Sequence, residues 1–198
     1  MTRFHLLFLV LLLAIAVPFA TADTIQLSNN NLGIAGSIGT VTLTQGVGGV
    51  MVTLQANAGF SFKLQGGDIL FNTSATLTSG SISNLSIDGL YTSNFSFGGP
   101  ATRAGTTFTY DLSNLIKGTL PHGYVSANTI SFTISGVTLA QLQPYLWGVH
   151  FCTASGSSCG PLTGFASNGP TVPEPGTLSL LGTGLAGLAG VFRRRFRS

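Results

Sequence analysis

The part of the chain between its two hydrophobic ends predicts an all-β fold, an antiparallel β-sandwich of jelly-roll-like type. Several segments alternate apolar residues with Ser or Thr, a period that is typical of strands with one buried face. Pairs such as Gly-Gly and Asp-Gly recur between these segments and indicate turns. Many short strands separated by turns favour a sandwich, which we assign to residues 23–168.

The alternating segments, taken in chain order, are the predicted strands. They are Val41–Thr44, Val50–Leu54, Phe60–Leu64, Ile82–Ile87, Phe95–Phe97, Thr106–Tyr110 and Ile130–Ile134. Turns are predicted at 48–49, 57–59, 66–67, 88–89 and 98–99. One helical turn is expected over Val137–Gln143, ending near Pro144. A further strand is expected to carry His150 and Cys152 on one face and Phe151 on the other.

Residues 1–22 have the pattern of a secretory signal peptide. Arg3 precedes the apolar run Leu6–Val17, and Ala20-Thr21-Ala22 forms a small-residue cleavage site after Pro18. The run is too short, and wrongly flanked, for a membrane-spanning helix. We therefore predict cleavage after Ala22 and a body that faces outward.

The C-terminal end predicts a single transmembrane helix over residues 176–192. These residues are uncharged, and they would span roughly 26 Å as a helix, against a hydrocarbon core of about 30 Å. Pro residues in the linker 169–175 prevent the helix from starting earlier. The basic tail 193–198 should stay cytoplasmic by the positive-inside rule. A buried core helix is the alternative interpretation.

The order of these parts resembles a PEP-CTERM sorting tail. The matching elements are Pro173, Glu174 and Pro175, the Gly-rich and Leu-rich helix, and the arginine cluster Arg193, Arg194 and Arg195. The resemblance implies a partner, exosortase, which is a membrane cysteine peptidase-transferase of Gram-negative-type bacteria that also make exopolysaccharide. It implies recognition at the inner membrane through the Pro-Glu-Pro triplet, a stop signal at the arginines, and tail removal before the body reaches the cell surface or medium. Such tails are also catalogued under an ice-binding-protein C-terminal label, which describes the tail and not the body.

The charge of the whole chain is dominated by its ends. The formal net charge is +3 and the isoelectric point about 9.2, which by itself would suggest a nucleic-acid partner. Between residues 23 and 171, however, three basic residues stand against four acidic ones, a net charge of −1. This body has no basic patch in its sequence, so we expect no nucleic-acid binding.

Cys152 and Cys159 are the only cysteines of the chain. In an exported protein such a pair is expected to form a disulfide that closes a short loop. A metal site is the competing interpretation, because His150 shares a strand face with Cys152. Zinc needs three or four close ligands, and only Cys159 and the distant His122 remain to complete such a set.

Candidate catalytic residues are few in the body. They are His122 and His150, with Asp68, Asp88 and Asp111, each placed beside a turn or strand end, where Asp commonly accepts turn hydrogen bonds. A Ser-His-Asp triad can be assembled from the many serines, but the composition alone explains these serines. We therefore expect a protein that is not an enzyme and that needs no cofactor.

Two classes of function remain open on this sequence. The first is a non-catalytic exported protein of the cell surface or extracellular matrix. The second is a carbohydrate-binding or adhesive surface module with exopolysaccharide as a partner, which exposed aromatic rings would support. An ice-binding surface ranks third, because it needs a flat and regular Thr array and the Thr residues here are expected in short, unequal strands. The candidate aromatic residues are Tyr91, Phe97, Tyr110, Tyr124, Tyr145 and Trp147, the last being either a core residue or a sugar platform.

Overall fold

Strands make up most of the described chain, and they form two antiparallel sheets and a separate small hairpin. The structure, a computed structural model, describes residues 22–64, 66, 68–115, 126–142, 146–155 and 158–169. The strands are β1 (Ala22–Leu27), β2 (Asn29–Asn30), β3 (Gly39–Gly46), β4 (Gly49–Ala56), β5 (Phe60–Lys63), β6 (Asp68–Phe71), β7 (Ile82–Ile87), β8 (Leu90–Tyr91), β9 (Ser96–Gly98), β10 (Ala101–Arg103), β11 (Thr106–Phe108), β12 (Tyr110–Ser113), β13 (Ser126–Ala127), β14 (Thr129–Ser135), β15 (Trp147–Ser155) and β16 (Ser158–Ser167).

The first sheet has six strands in the order β1-β3-β4-β14-β7-β8. Its strands alternate as predicted, because Val41 and Leu43 of β3 are buried and the intervening Thr residues are partly exposed. The tight turn between β3 and β4 uses Gly48 at φ +86°, a conformation that costs glycine little. Register and alternation together therefore give this sheet one apolar face and one polar face.

The second sheet has eight strands and is built around the long strand β15. On one side β15 pairs with β16 along most of its length, from Gly148 to Ser155. It also pairs with β6 through Trp147–Val149 and with β5 through Phe151–Thr153. The strands β12 and β9 continue from β6, β13 pairs with β5, and β2 pairs with β16. This sheet therefore joins segments that are distant in sequence.

The apolar faces of both sheets contribute to one continuous core. Phe132 and Val52 come from the first sheet, while Phe62, Phe151 and Trp147 come from the second. Trp147 is fully buried and stacks on Phe71 with ring centroids 4.9 Å apart. Trp147 is thus a core residue, which resolves the choice between core and sugar platform.

One local prediction needs correction, and the strand β6 was not predicted. The predicted strand Thr106–Tyr110 is interrupted at Thr109, whose backbone N–H donates to Asn72 Oδ1 at 2.6 Å instead of joining a strand ladder. As a result, β11 belongs to the hairpin and β12 to the second sheet. The buried strand β6 lacks the alternating pattern, because both of its faces are covered by apolar residues. The short helix predicted over Val137–Gln143 is observed as α1 (Leu139–Leu142), and Ser79–Ser81 forms a 3-10 turn.

Both predicted targeting segments lie largely or wholly outside the described residues. Ala20 falls outside, whereas Ala22 is the first residue of β1 and pairs with Thr44. The predicted helix 176–192 and the sorting residues on either side of it also fall outside. Within the described ranges, no helix is long and apolar enough to cross a membrane.

Candidate functional site

The outward face of the second sheet gathers four ionisable side chains that are far apart in sequence. Leu70 pairs with both Asp111 and Gly148, so these three residues share one face. Asp68 lies two residues before Leu70, and His150 two residues after Gly148, so both project from the same face. Arg103 reaches this face from the hairpin of β10 and β11. We call Asp68, Arg103, Asp111 and His150 the charged cluster.

The hairpin that supplies Arg103 is shaped by a two-residue turn. Ala104 and Gly105 both have positive φ, at +48° and +77°, as a type I′ turn requires. The three residue pairs between β10 and β11 place Arg103 opposite Thr106, next to this turn. The turn therefore fixes where the guanidinium group can reach.

Asp68 is the centre of the charged cluster. Its Oδ2 accepts a hydrogen bond from Arg103 Nε at 2.6 Å and lies 3.4 Å from His150 Nδ1. The second contact is an ion-pair distance without hydrogen-bond geometry, and His150 Nδ1 has no hydrogen-bond partner among the described residues. The Asp68 side chain is 8% exposed and that of Arg103 38%. The buried carboxylate is thus held mainly by a partly exposed arginine.

The two aspartates of the cluster have pKa values displaced in opposite directions. Burial raises the pKa of Asp68, but the neighbouring His150 and Arg103 outweigh it and hold the pKa below its usual value. Burial also raises the pKa of Asp111, and the negative charge of Asp68 raises it further. Asp111 Oδ1 is buried without a hydrogen-bond partner among the described residues. The surroundings of Asp111 therefore disfavour its charged form.

A small apolar cluster beside these charges also packs the hairpin against the second sheet. It consists of Leu70, Phe108 and Phe165, with Phe108 contributed by β11. The rings of Phe108 and Phe165 meet edge to face with centroids 5.7 Å apart. A Cβ atom at Gly148 would lie 2.8 Å from the Phe108 ring and would also clash with Phe165. Gly148 therefore leaves the space in which the hairpin packs on the sheet.

This arrangement holds the hairpin against the second sheet through the pairing of Asp68 with Arg103. Within the described residues, no hydroxyl group hydrogen-bonds to His150, and Cys152, the next residue on that face, is engaged in the disulfide. Sequence reasoning placed Asp68 and Asp111 beside a turn or strand end and expected turn hydrogen bonds from them. Asp68 is indeed the first residue of β6, but both side chains belong to the charged cluster. The predicted turn at Asp88 is confirmed, because Asp88 and Gly89 form the turn between β7 and β8 with φ +48° and +83°. The Asp88 side chain reaches beyond this turn, and its Oδ1 accepts from the backbone N–H groups of Asn128 and Thr129.

The predicted disulfide between Cys152 and Cys159 is confirmed. Its Cα atoms are 5.3 Å apart, and it links β15 to β16 near their connecting turn. Both sulfur atoms are consumed by the bond, which removes the thiolates that a metal site would need. His122, the other ligand considered, lies outside the described residues.

Most described aromatic candidates for sugar binding point inward. Phe97, Tyr110, Phe71 and Trp147 stack in succession across the second sheet, with centroid distances of 5.4, 5.7 and 4.9 Å. Tyr110 is also tied down by its hydroxyl, which donates to Ala75 O at 3.1 Å. Tyr91 differs from them, because it is 75% exposed. Tyr124 and Tyr145 lie outside the described residues.

The polar face of the first sheet carries mostly hydroxyl and amide side chains, and we call it the hydroxyl face. Its strands β1, β3, β4 and β14 are six to eight residues long, whereas β8 has two, so the strands are unequal as expected and most of them are not short. The pairing register, which sequence alone did not supply, aligns these residues. The hydroxyl face comprises Ala22, Thr24, Gln26, Thr40, Thr42, Thr44, Met51, Thr53, Gln55, Ser83, Ser86, Tyr91, Thr129, Ser131 and Thr133.

Comparison with known proteins identifies the tail. Residues 171–195 match the family model described as the PEP-CTERM protein-sorting motif. The resemblance named from the sequence is therefore confirmed, and the motif implies an exported protein that an exosortase sorts through the membrane. Comparison with curated proteins and with solved structures finds no match.

Proposed function

We propose that this chain is a non-catalytic protein of the cell surface or extracellular matrix, with a jelly-roll-like sandwich as its exported body. The observation that carries the proposal is the sorting motif at residues 171–195. The pairing of Asp68 with Arg103 supports a non-catalytic role for the charged cluster, because it ties the hairpin to the second sheet. The body also contains few charges, and its polar surface is made largely by Ser and Thr.

The proposed sorting route uses both ends of the chain. Residues 1–22 direct export and are removed after Ala22, and the helix 176–192 then holds the protein in the inner membrane. Exosortase recognises the triplet Pro173-Glu174-Pro175, while the arginines 193–195 hold the cytoplasmic end by the positive-inside rule. Cleavage near the triplet transfers the body to the cell surface or the medium.

The intact mass of protein recovered from cells and from medium tests this route. A species that begins at Asp23 and ends between Pro173 and Gly176 is expected. The variant Glu174→Ala should accumulate in the membrane fraction with Arg193–Ser198 still attached, whereas Asp88→Asn in the body should be processed normally. Native protein from the cell surface that keeps its arginine tail would refute removal of the tail.

A carbohydrate-binding or adhesive module is the second candidate function. The specific observation in its favour is Tyr91, an aromatic ring 75% exposed at the end of the hydroxyl face. An exposed ring beside hydroxyl and amide groups suits a sugar, which presents both C–H faces and hydroxyl groups. Exopolysaccharide at the surface of the producing cell is the corresponding partner, and retention on immobilised polysaccharide is the test.

A further inference from the structure

We propose that the hydroxyl face binds an uncharged polysaccharide, which lies across the strands with one sugar ring against Tyr91. The proposal rests on the second candidate function and names both its surface and its ligand class. Its main support is that the face is aligned, free of charge and bounded by an exposed aromatic ring.

One row of the hydroxyl face crosses the whole first sheet. Thr24 pairs with Thr42 and Thr42 with Thr53, so the row runs from the β1 edge into the centre of the sheet. Thr53 pairs with Ser131, Ser131 with Ser86, and Ser86 with Tyr91 at the opposite edge. Five inter-strand steps of about 4.8 Å make this row about 24 Å long. Ser86 is only 8% exposed, so a polymer lying along this row would contact its other five members.

Several hydroxyl groups on this face are available to a ligand. Those of Thr40, Thr44, Thr53 and Ser131 make no hydrogen bond to the described part of the chain. Others are already engaged, such as Thr129 Oγ1, which donates to Gln55 Oε1 at 2.8 Å. The sheet fixes the backbone of each free hydroxyl, so only a side-chain rotor must be ordered on binding. A polymer of sugar hydroxyls can satisfy these groups as both donor and acceptor.

The charge distribution favours an uncharged glycan. No position of the hydroxyl face carries a charged side chain. An anionic polysaccharide would place carboxylate or sulfate groups there without a cationic partner, and desolvating them would be unfavourable. Arg103 belongs to the hairpin on the second sheet and is paired with Asp68.

A second copy of the same face is a poorer occupant. Sheets that stack face to face interdigitate apolar side chains. Here the large apolar side chains are Met51, 48% exposed, and Tyr91, 75% exposed, and they lie on different rows. The remaining positions, apart from Ala22, carry hydroxyl or amide groups, whose hydration would be lost against an identical surface.

Affinity electrophoresis of the full-length chain in mild detergent tests the proposal. Gels would contain hydroxyethylcellulose, dextran or xyloglucan as neutral polymers, and alginate as the anionic comparison. We expect retardation in at least one neutral gel and none in alginate. Tyr91→Ala and Thr53→Lys should each weaken the apparent association about tenfold. Thr163→Lys adds the same charge to an exposed position on the second sheet and should change nothing.

Each other outcome counts against a definite part of the proposal. Absence of retardation in every neutral gel overturns this inference together with the second candidate function. Retardation that survives both Tyr91→Ala and Thr53→Lys leaves carbohydrate binding standing but removes it from the hydroxyl face. Equal loss in Thr163→Lys shows a nonspecific charge effect and also overturns the assignment. Inhibition of ice growth by the wild type, lost in Thr53→Lys without any glycan retention, would assign the face to ice instead. Thermal unfolding of each variant checks that it is folded, and Thr53→Asn replaces Thr53→Lys if the lysine variant is not.

Discussion

Breaking the disulfide should lower the free energy of unfolding of the body by an amount that depends on the number of residues in the loop it closes. Cys152 and Cys159 are 7 residues apart, and the chain-entropy relation for a loop of that size gives about 2.4 kcal/mol at 25 °C. A domain of this size loses about 2–4 °C of its melting temperature for each kcal/mol. We therefore expect reduction to lower the melting temperature by about 5–10 °C.

Calorimetry of three samples separates the cross-link from local packing. They are the oxidised protein, the protein reduced with dithiothreitol, and the double variant Cys152→Ala with Cys159→Ala. Cys152 is fully buried, so the double variant adds the loss of a buried sulfur to the loss of the bond. It should therefore melt at or below the temperature of the reduced wild type, and dithiothreitol should not change it further.

Equal melting temperatures of oxidised and reduced protein would refute the reasoning, since the cross-link would then constrain nothing in the unfolded chain. A mass gain of about two hydrogens on reduction is the control that the bond was present and opened. A loss much above 5 kcal/mol would also contradict the entropic account, because it exceeds the range seen for single disulfides.

Three further predictions concern the charged cluster and the hairpin. Asp111→Asn should raise the free energy of unfolding at pH 7. Because the pKa of Asp111 is raised, this residue contributes fully to stability below the unfolded pKa of about 3.9, and the contribution is lost as the pH rises through the folded pKa. Urea titrations at pH 7 and pH 3 should therefore show the gain only at pH 7. Arg103→Met should lower the free energy of unfolding at pH 7 by about 1–3 kcal/mol. This value allows for solvent screening of the ion pair, because the Arg103 side chain is 38% exposed. This loss of stability should become smaller in acid. The lowered pKa of Asp68 contributes stability that is present above the unfolded pKa and disappears as the pH falls through the folded pKa. A loss that is independent of pH would contradict the ion pair. Gly148→Val should displace Phe108, so limited proteolysis should cut the hairpin first, and an unchanged cleavage pattern would count against the packing described here.

Local patterns were sufficient for much of the fold. Val50–Leu54 and Ile130–Ile134 alternate over several residues, so their strand state could be predicted from neighbours in sequence alone. Sequence reasoning failed where tertiary contacts override the local pattern. It missed the strand β6, which is buried on both faces. It also predicted one strand through Thr109, whose backbone N–H instead donates a hydrogen bond to Asn72 Oδ1, 37 positions away.

The charged cluster could not be predicted because no local signal links its members. Asp68 and Arg103 are 35 positions apart in sequence, and each alone looks like an ordinary turn or strand-end residue. Only the pairing of β6 with β12 and β15 brings Asp68, Asp111 and His150 to one face. Burial then changes the pKa values of the two aspartates, which a sequence cannot show.

The sequence by itself indicated an exported protein that is sorted through the membrane, because the sorting motif is a contiguous segment that is recognised by its local chemistry. It also determined the all-β class and the Cys152–Cys159 pair, since alternation and the presence of only two cysteines are properties of the chain alone. The hydroxyl face was decided by tertiary structure. Thr24, Thr53 and Ser131 stand in one row only because antiparallel pairing fixes their register, and register depends on which strands meet.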